Sequence, residues 1–115
     1  EVVHRRKLPL IVDEAHGAHF PFSEQFPKDS VSCGADVVIH SVHKTLPSLT
    51  QTALIHLNGD LINREKIRYF LGVYQSSSPS YVMMAGIDQC IEWVCRRCVQ
   101  NFGSFRHWSF WRYRG

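Results

Sequence analysis

Short apolar runs and longer periodic stretches divide this chain into elements. Leu8-Pro9-Leu10-Ile11-Val12 is a continuous apolar run, the pattern of a strand buried on both faces. Asp36-Val37-Val38-Ile39-His40 is a second such strand, rich in β-branched residues. Thr52 to Leu57 reads as a third, stopped by the turn signal Asn58-Gly59-Asp60. Between the first two, Gly17 and Phe20-Pro21-Phe22-Ser23 predict a loop, and Pro27 to Ser32 a short helical turn before Cys33-Gly34-Ala35. Lys44 to Thr50, with Pro47 and several hydroxyls, predicts another loop. The period then changes. Asn63 is a helix N-cap, with Lys66 where a full capping box would have Glu. Ile67, Phe70, Leu71 and Tyr74 follow i, i+3, i+4, i+7 spacing, which makes one apolar helix face. Gln75 to Ser80 is a polar break, and Tyr81 to about Val94 resumes a helical pattern. Buried strands and amphipathic helices together predict an α/β fold with a mostly parallel sheet. No internal repeat is visible.

Charge changes this picture at one end. The net charge is +3, but residues 1–92 carry eight Lys and Arg against all ten Asp and Glu, a balance of −2. A basic nucleic-acid footprint is therefore not expected in the body. After Glu92 the composition shifts to Arg, Trp, Phe and Cys with no acidic residue. We expect residues 1–93 to form one unit and residues 94–115 to be a divergent tail, produced by truncation or a shifted reading frame. The chain opens inside an element, without an initiator Met or a signal-peptide pattern, so a piece of a larger protein is expected. Its apolar runs are too short for the ~20 residues of a membrane span. Cys33, Cys90, Cys95 and Cys98, without a secretory context, read as reduced thiols. Cytoplasmic location is the expectation.

The chemistry sits where the first two strands end. Asp13-Glu14-Ala15-His16 closes one and Ser41-Val42-His43-Lys44-Thr45 the other. Polar residues at neighbouring strand ends are where an open α/β sheet builds its site. A carboxylate on one tip and an amine on the next can hold opposite ends of one charged aromatic cofactor. Pyridoxal phosphate needs that pair: a Lys for its aldehyde and an Asp for its ring nitrogen. Lys44 on an ordinary surface loop would be a solvated charge, but here Ser41, His43 and Thr45 flank it. A Lys near cationic or desolvating groups becomes a usable amine nucleophile. The plain reading of Asp13 is a turn-forming strand end; the functional reading pairs it with a pyridinium. Ala15 would share Asp13's side of an extended chain, where a small side chain admits a flat ring. Ser41 and His43 supply donors for an anion, or else bond local backbone.

Other groupings are weaker. Glu14, His16 and His19 match no strong zinc pattern, and Cys95, Cys98 and His107 lack a second Cys pair, so no metal is expected. Ser76 to Ser80 is a flexible linker by composition, or an anion-binding or subunit-contact loop by its place before a helix. Val12 to His16 also spells a DEAH box, the strand-end Mg²⁺ and ATP motif of a helicase family. That reading needs a G-x-x-x-x-G-K-[ST] loop, which this sequence lacks.

Taken together, Val12 to Phe20, Gly34 to Leu46, Pro47 to Ala53 and Gln75 to Tyr81 resemble the Orn/Lys/Arg decarboxylase major domain. The resemblance runs from about Leu8 to Trp93. It implies the large domain of a fold type I, aspartate aminotransferase-like enzyme that uses pyridoxal 5'-phosphate. By resemblance, Lys44 is the Schiff-base lysine and Asp13 pairs with the pyridine nitrogen. His16 would lie at the cofactor or substrate. Ser41 and His43 would contact the phosphate or flank Lys44, and His43 or Lys44 would act as general acid. Ser76 to Ser80 would lie near the cofactor or a dimer interface. The implied reaction is decarboxylation of a small-molecule basic amino acid, arginine, lysine or ornithine, to its amine and CO₂, a step of polyamine biosynthesis. An aminotransferase or another fold type I lyase is the alternative, since Asp and Lys serve those too, and an inactive remnant is the non-enzymatic one. The resemblance also implies a homodimer or higher homo-oligomer. The ring-stacking residue, part of the phosphate loop and the small domain of the family are absent from this sequence. A piece of this size is therefore expected to be inactive alone.

Overall fold

The computed structural model describes residues 2–75 and 78–102, with residues 98–102 by backbone alone. The elements are β1 (Ile11–Asp13), β2 (Val37–Ser41), α1 (Val42–Thr45), β3 (Ala53–Leu57), α2 (Arg64–Tyr74) and α3 (Tyr81–Phe102). Single 3-10 turns lie at His4–Arg6 and Phe20–Phe22. The sheet order is β1-β2-β3. β1 and β2 are parallel, with Ile11 opposite Val37 and Asp13 opposite Ile39. β2 and β3 are antiparallel, with Val37 opposite Leu57 and Ser41 opposite Ala53.

The expected mostly parallel sheet is thus met for one pair and corrected for the other. The cause is length. A parallel return needs a crossover of about a dozen residues or more. Only α1 and the segment Leu46 to Thr52 separate β2 from β3, which suffices for a reversal. The α/β class itself stands.

β1 starts later than its apolar run predicts. Pro9 has no N–H for a ladder. The Leu10 N–H is captured by the Asp36 carboxylate at 2.7 Å. The same oxygen, Oδ2, meets His4 Nε2 at 2.7 Å, which ties the chain's first turn to the start of β2. The Leu10 N–H first, then His4, hold the Asp36 carboxyl below its ordinary value. α1 replaces part of the expected loop. Its single turn closes with Leu46 N–H donating to the Val42 carbonyl, and Leu46 is extended at φ −121°, ψ 155°. Pro47 imposes that stop, because a residue before proline avoids the helical region.

The short helical turn expected over Pro27 to Ser32 is found later in the chain, as non-helical turns over residues 30–34 that include Cys33. Asp29 begins them by accepting the Ser32 N–H at 2.9 Å. Gly34, at φ 87°, supplies the left-handed residue that returns the chain toward β2. Asn63 caps α2 as its sequence predicts, with Oδ1 accepting the Lys66 N–H at 2.8 Å. On α2, Ile67 and Leu71 are half-buried. Phe70 and Tyr74 are exposed and stack on each other, centroids 6.2 Å apart.

α3 runs past the expected end near Val94, to Phe102. Cys90 and Val94, one turn apart, are buried and pack with Val42, Phe22, Leu46 and Leu54. This small core seats α3 on the Leu54 side of the sheet and clamps α1 between helix and strand. The opposite side is barer. Ile11, Ile39 and Ile55 share that face and are 62%, 38% and 37% exposed. Strands expected to be buried on both faces are therefore only partly covered on this one, where Val37 is buried but these isoleucines are exposed. Among the described residues, no helix is long and apolar enough to cross a membrane. Residues 103–115, with His107 and most of the expected divergent tail, lie outside the described residues, as do Ser76 and Ser77.

Candidate active site

The parallel pairing of β1 with β2 sends both chains out at the same edge of the sheet. The pairing continues beyond β1. Glu14 N–H donates to the Ile39 carbonyl at 3.0 Å, and Ser41 N–H to the Ala15 carbonyl at 3.3 Å. Residues 14 and 15 therefore stay beside the end of β2, and α1 begins immediately after Ser41. Two successive turns follow, closed by Gly17 N–H to the Glu14 carbonyl at 2.8 Å and Phe20 N–H to the Gly17 carbonyl at 2.9 Å. The chain can fold this tightly because residue 17 is glycine. A Cβ there would overlap Glu14 Cγ and come within 2.9 Å of the Phe20 ring.

These turns and α1 enclose an open cleft of about 340 Å³, lined by Asp13, Glu14, Ala15, His16, Gly17, Phe20 and Lys44. Its size is at the lower end of small-molecule sites, about 300–1,000 Å³. Four of the six expected site residues, Asp13, Ala15, His16 and Lys44, meet here. Asp13, His16 and Lys44 are exposed and Ala15 is half-buried. Asp13 Oδ1 accepts the Ala15 N–H at 3.1 Å, and no described residue bonds Oδ2. No described side chain pairs with the Lys44 amine. One carboxylate and one amine thus face a shared space with bonding capacity left over.

Ser41 and His43 lie outside the lining. Ser41 is the N-cap position of α1 without a side-chain cap bond. His43 Nδ1 is 2.9 Å from the Thr52 carbonyl, and a carbonyl only accepts, so Nδ1 carries the hydrogen. Glu14, Gly17 and Phe20 are lining residues that the site prediction leaves out.

The Glu14 carboxylate is partnered by Ser30 and His40, not by His16 or His19. It turns to the opposite side of the sheet from Asp13, as alternation along an extended chain requires. There Oε1 accepts the Ser30 hydroxyl at 2.7 Å and the Ser30 N–H at 3.2 Å. Oε2 lies 2.7 Å from His40 Nε2. His40 Nδ1 in turn lies 3.1 Å from His56 Nε2, and the two rings meet edge to face at 4.8 Å. His40 is buried, 2% exposed. Burial acts to raise the Glu14 pKa, but the His40 and Ser30 hydrogen bonds outweigh it and hold the carboxyl below its ordinary value. Burial, followed by the neighbouring His40, pushes His56 down to about 4. The signal for this network is in the sequence: His40 and His56 have the same facing as Val38 and Leu54 in strands of otherwise apolar residues. Among the described residues, no cluster of three or more His, Cys, Asp or Glu is arranged to hold a metal ion.

A family model described as Orn/Lys/Arg decarboxylase, major domain, matches residues 1–100. The chain belongs to that decarboxylase family. Its similarity to individual members is uneven. Uncharacterized protein YaaO of Bacillus subtilis (strain 168) is 49% identical over 99 residues, covering 85% of this chain and 20% of that protein. An arginine decarboxylase of the same organism is 34% identical over 88 residues, 76% of this chain and 18% of that enzyme. An arginine decarboxylase of Halalkalibacterium halodurans is 35% identical over the same share of this chain, again 18% of that enzyme. The chain spans about a fifth of the length of the curated relatives it matches. Membership of the decarboxylase family also replaces the DEAH-box reading of Asp13 to His16.

Proposed function

We propose that this chain supplies the cofactor-gripping part of a pyridoxal 5'-phosphate-dependent decarboxylase acting on a basic amino acid. The observation that carries the reading is the shared cleft: Asp13 and Lys44 leave the tips of two parallel strands and line one space. The donor set suits the cofactor. Lys44 would hold its aldehyde end, Asp13 its ring nitrogen, and Ala15 leaves room for a flat ring. Ser41 and His43 would serve the phosphate or the flank of Lys44. When bound, the cofactor supplies an electron sink for the electron pair left as the α-carboxylate departs as CO₂.

The chain's own residues have separable tasks in this reading. The Asp13 carboxylate keeps a proton on the ring nitrogen, and its free Oδ2 is the atom available for that bond. The Thr52 carbonyl fixes His43 as the Nδ1–H form, which makes Nε2 the nitrogen that takes up and releases protons. His43 Nε2 or the Lys44 amine returns a proton to the substrate α-carbon. His16, on the cleft wall, faces the cofactor or substrate. The reading also makes the working unit a homodimer or larger homo-oligomer in the cytoplasm.

Product analysis of the intact protein with arginine, lysine and ornithine tests the assignment: CO₂ and the matching amine support it, and a keto acid would assign an aminotransferase instead. Lys44→Ala is expected to lower turnover by at least about a thousandfold, since covalent catalysis loses its amine. Steady-state activity retained by that variant rejects the role of Lys44. Asp13→Ala is expected to keep some cofactor yet lose most of kcat; near-normal kcat would count against the electron-sink role of Asp13.

A further inference from the structure

The line Glu14–His40–His56 has no task in the chemistry above, yet one end of it forms part of the cleft wall. Its hydrogens can be assigned. The Glu14 carboxylate is ionised and only accepts, so His40 Nε2 carries a hydrogen. At neutral pH His56 is uncharged, and with neutral His40 the one consistent arrangement has His56 Nε2–H donating to His40 Nδ1. Were His40 protonated, both its nitrogens would donate and His56 would accept. In either state the carboxylate dictates the Nε2–H of His40. The line crosses all three strands: Glu14 follows β1, His40 is in β2 and His56 in β3. Ser30 anchors the same carboxylate from the turn before β2, through both its hydroxyl and its N–H.

Glu14 is bonded directly to Asp13 on one side and Ala15 on the other. Fixing its side chain at two oxygens fixes the backbone that presents Asp13 and His16 to the cleft. We infer that Glu14 is a positioning residue of this site: held by Ser30 and His40, it sets the placement of Asp13 and His16, so that losing the carboxylate weakens ligand binding through the backbone it anchors. This inference rests on the reading that the cleft takes pyridoxal phosphate. Support of this kind behind contacting groups is worth about 10- to 100-fold in affinity at metal sites, which sets the scale expected here.

The test titrates the intact, cofactor-stripped protein with pyridoxal 5'-phosphate, read by quenching of intrinsic fluorescence, with Tm measured on the same samples. Glu14→Ala and His40→Leu are expected to raise Kd by about tenfold or more. His40→Gln restores a donor N–H for Glu14 and an acceptor for His56, and is expected to stay within about threefold of wild type. Ser30→Ala, milder and safer for folding, is expected to weaken binding by about two- to fivefold. Val37→Ala opens a cavity in the same strand on the face away from the line; it is expected to lower Tm and leave Kd within about threefold. Unchanged Kd in His40→Leu and Ser30→Ala overturns the inference. So does a Val37→Ala variant that loses as much affinity as His40→Leu at equal loss of Tm, because the role would then be merely structural. Wild-type protein that does not bind the cofactor, or a Lys44→Ala variant that titrates like wild type, defeats the cofactor reading and this inference with it. Tight wild-type binding with equally tight His40→Leu defeats the inference alone.

Discussion

Asp13 and Glu14 are adjacent carboxylates with opposite surroundings. Asp13 is exposed at the cleft and holds one backbone N–H. Glu14 is drawn into the sheet, where Ser30 and His40 occupy both of its oxygens. The cleft rim is thus built from groups with bonds to spare, and the network behind it from groups with none. Spare capacity is what a ligand site needs, and full satisfaction is what fixes a backbone. Strand alternation alone separates the two roles, one residue apart.

The difference should be sharpest in stability. His40→Leu leaves Glu14 Oε2 without its hydrogen-bond donor, while Ser30 still holds Oε1. It is expected to cost about 2 to 3 kcal/mol, the upper range for leaving a buried charged acceptor unsatisfied. Urea unfolding at pH 7 measures it; a loss below about 1 kcal/mol would mean that water reaches Glu14 freely.

Acid should attack the network first. An unfolded His56 charges near its ordinary 6.5, while in the folded chain it stays neutral until about pH 4. Between those values the unfolded state binds the extra proton, so stability is full above pH 6.5 and falls as pH drops toward 4. After allowance for partial solvent screening the loss is on the order of 2 kcal/mol. Glu14 and Asp36 act in the same direction, in a more acidic window. Their depressed pKa values add stability above their ordinary 4.5 and 3.8, lost as pH falls below those values. His56→Gln should flatten the profile between pH 6.5 and 4, and an unaltered profile would place the titrating group elsewhere.

The rim should barely register. Asp13→Asn in cofactor-free protein is expected to change stability by less than about 0.5 kcal/mol, as surface substitutions do. A larger loss would show that Asp13 is part of the scaffold and erase the contrast with Glu14.

The sequence discloses the rim better than the network. Asp13 and Lys44 close apolar runs, and strand ends announce themselves by that change of polarity. β2, β3 and the Asn63 cap follow from β-branched runs and a capping residue, and lie within a residue of expectation. Glu14–His40–His56 joins residues far apart in sequence, and only the register of β1 on β2 and of β2 on β3 brings them into line. The direction of β3 was hidden for a similar reason, since it depends on the length of a connection that reads as plain loop. The one-turn α1 turns His43 so that its Nδ1 meets the Thr52 carbonyl just ahead of β3. No local pattern signals a helix that short.

The isoleucines of the barer face have a consequence for handling the protein. Ile11, Ile39 and Ile55 form a β-branched band across three adjacent strands, open to water. Such a band is a template for clumping between chains. Solubility of this polypeptide on its own will therefore be governed by how quickly that band is shielded after synthesis, and an Ile39→Lys change should delay precipitation.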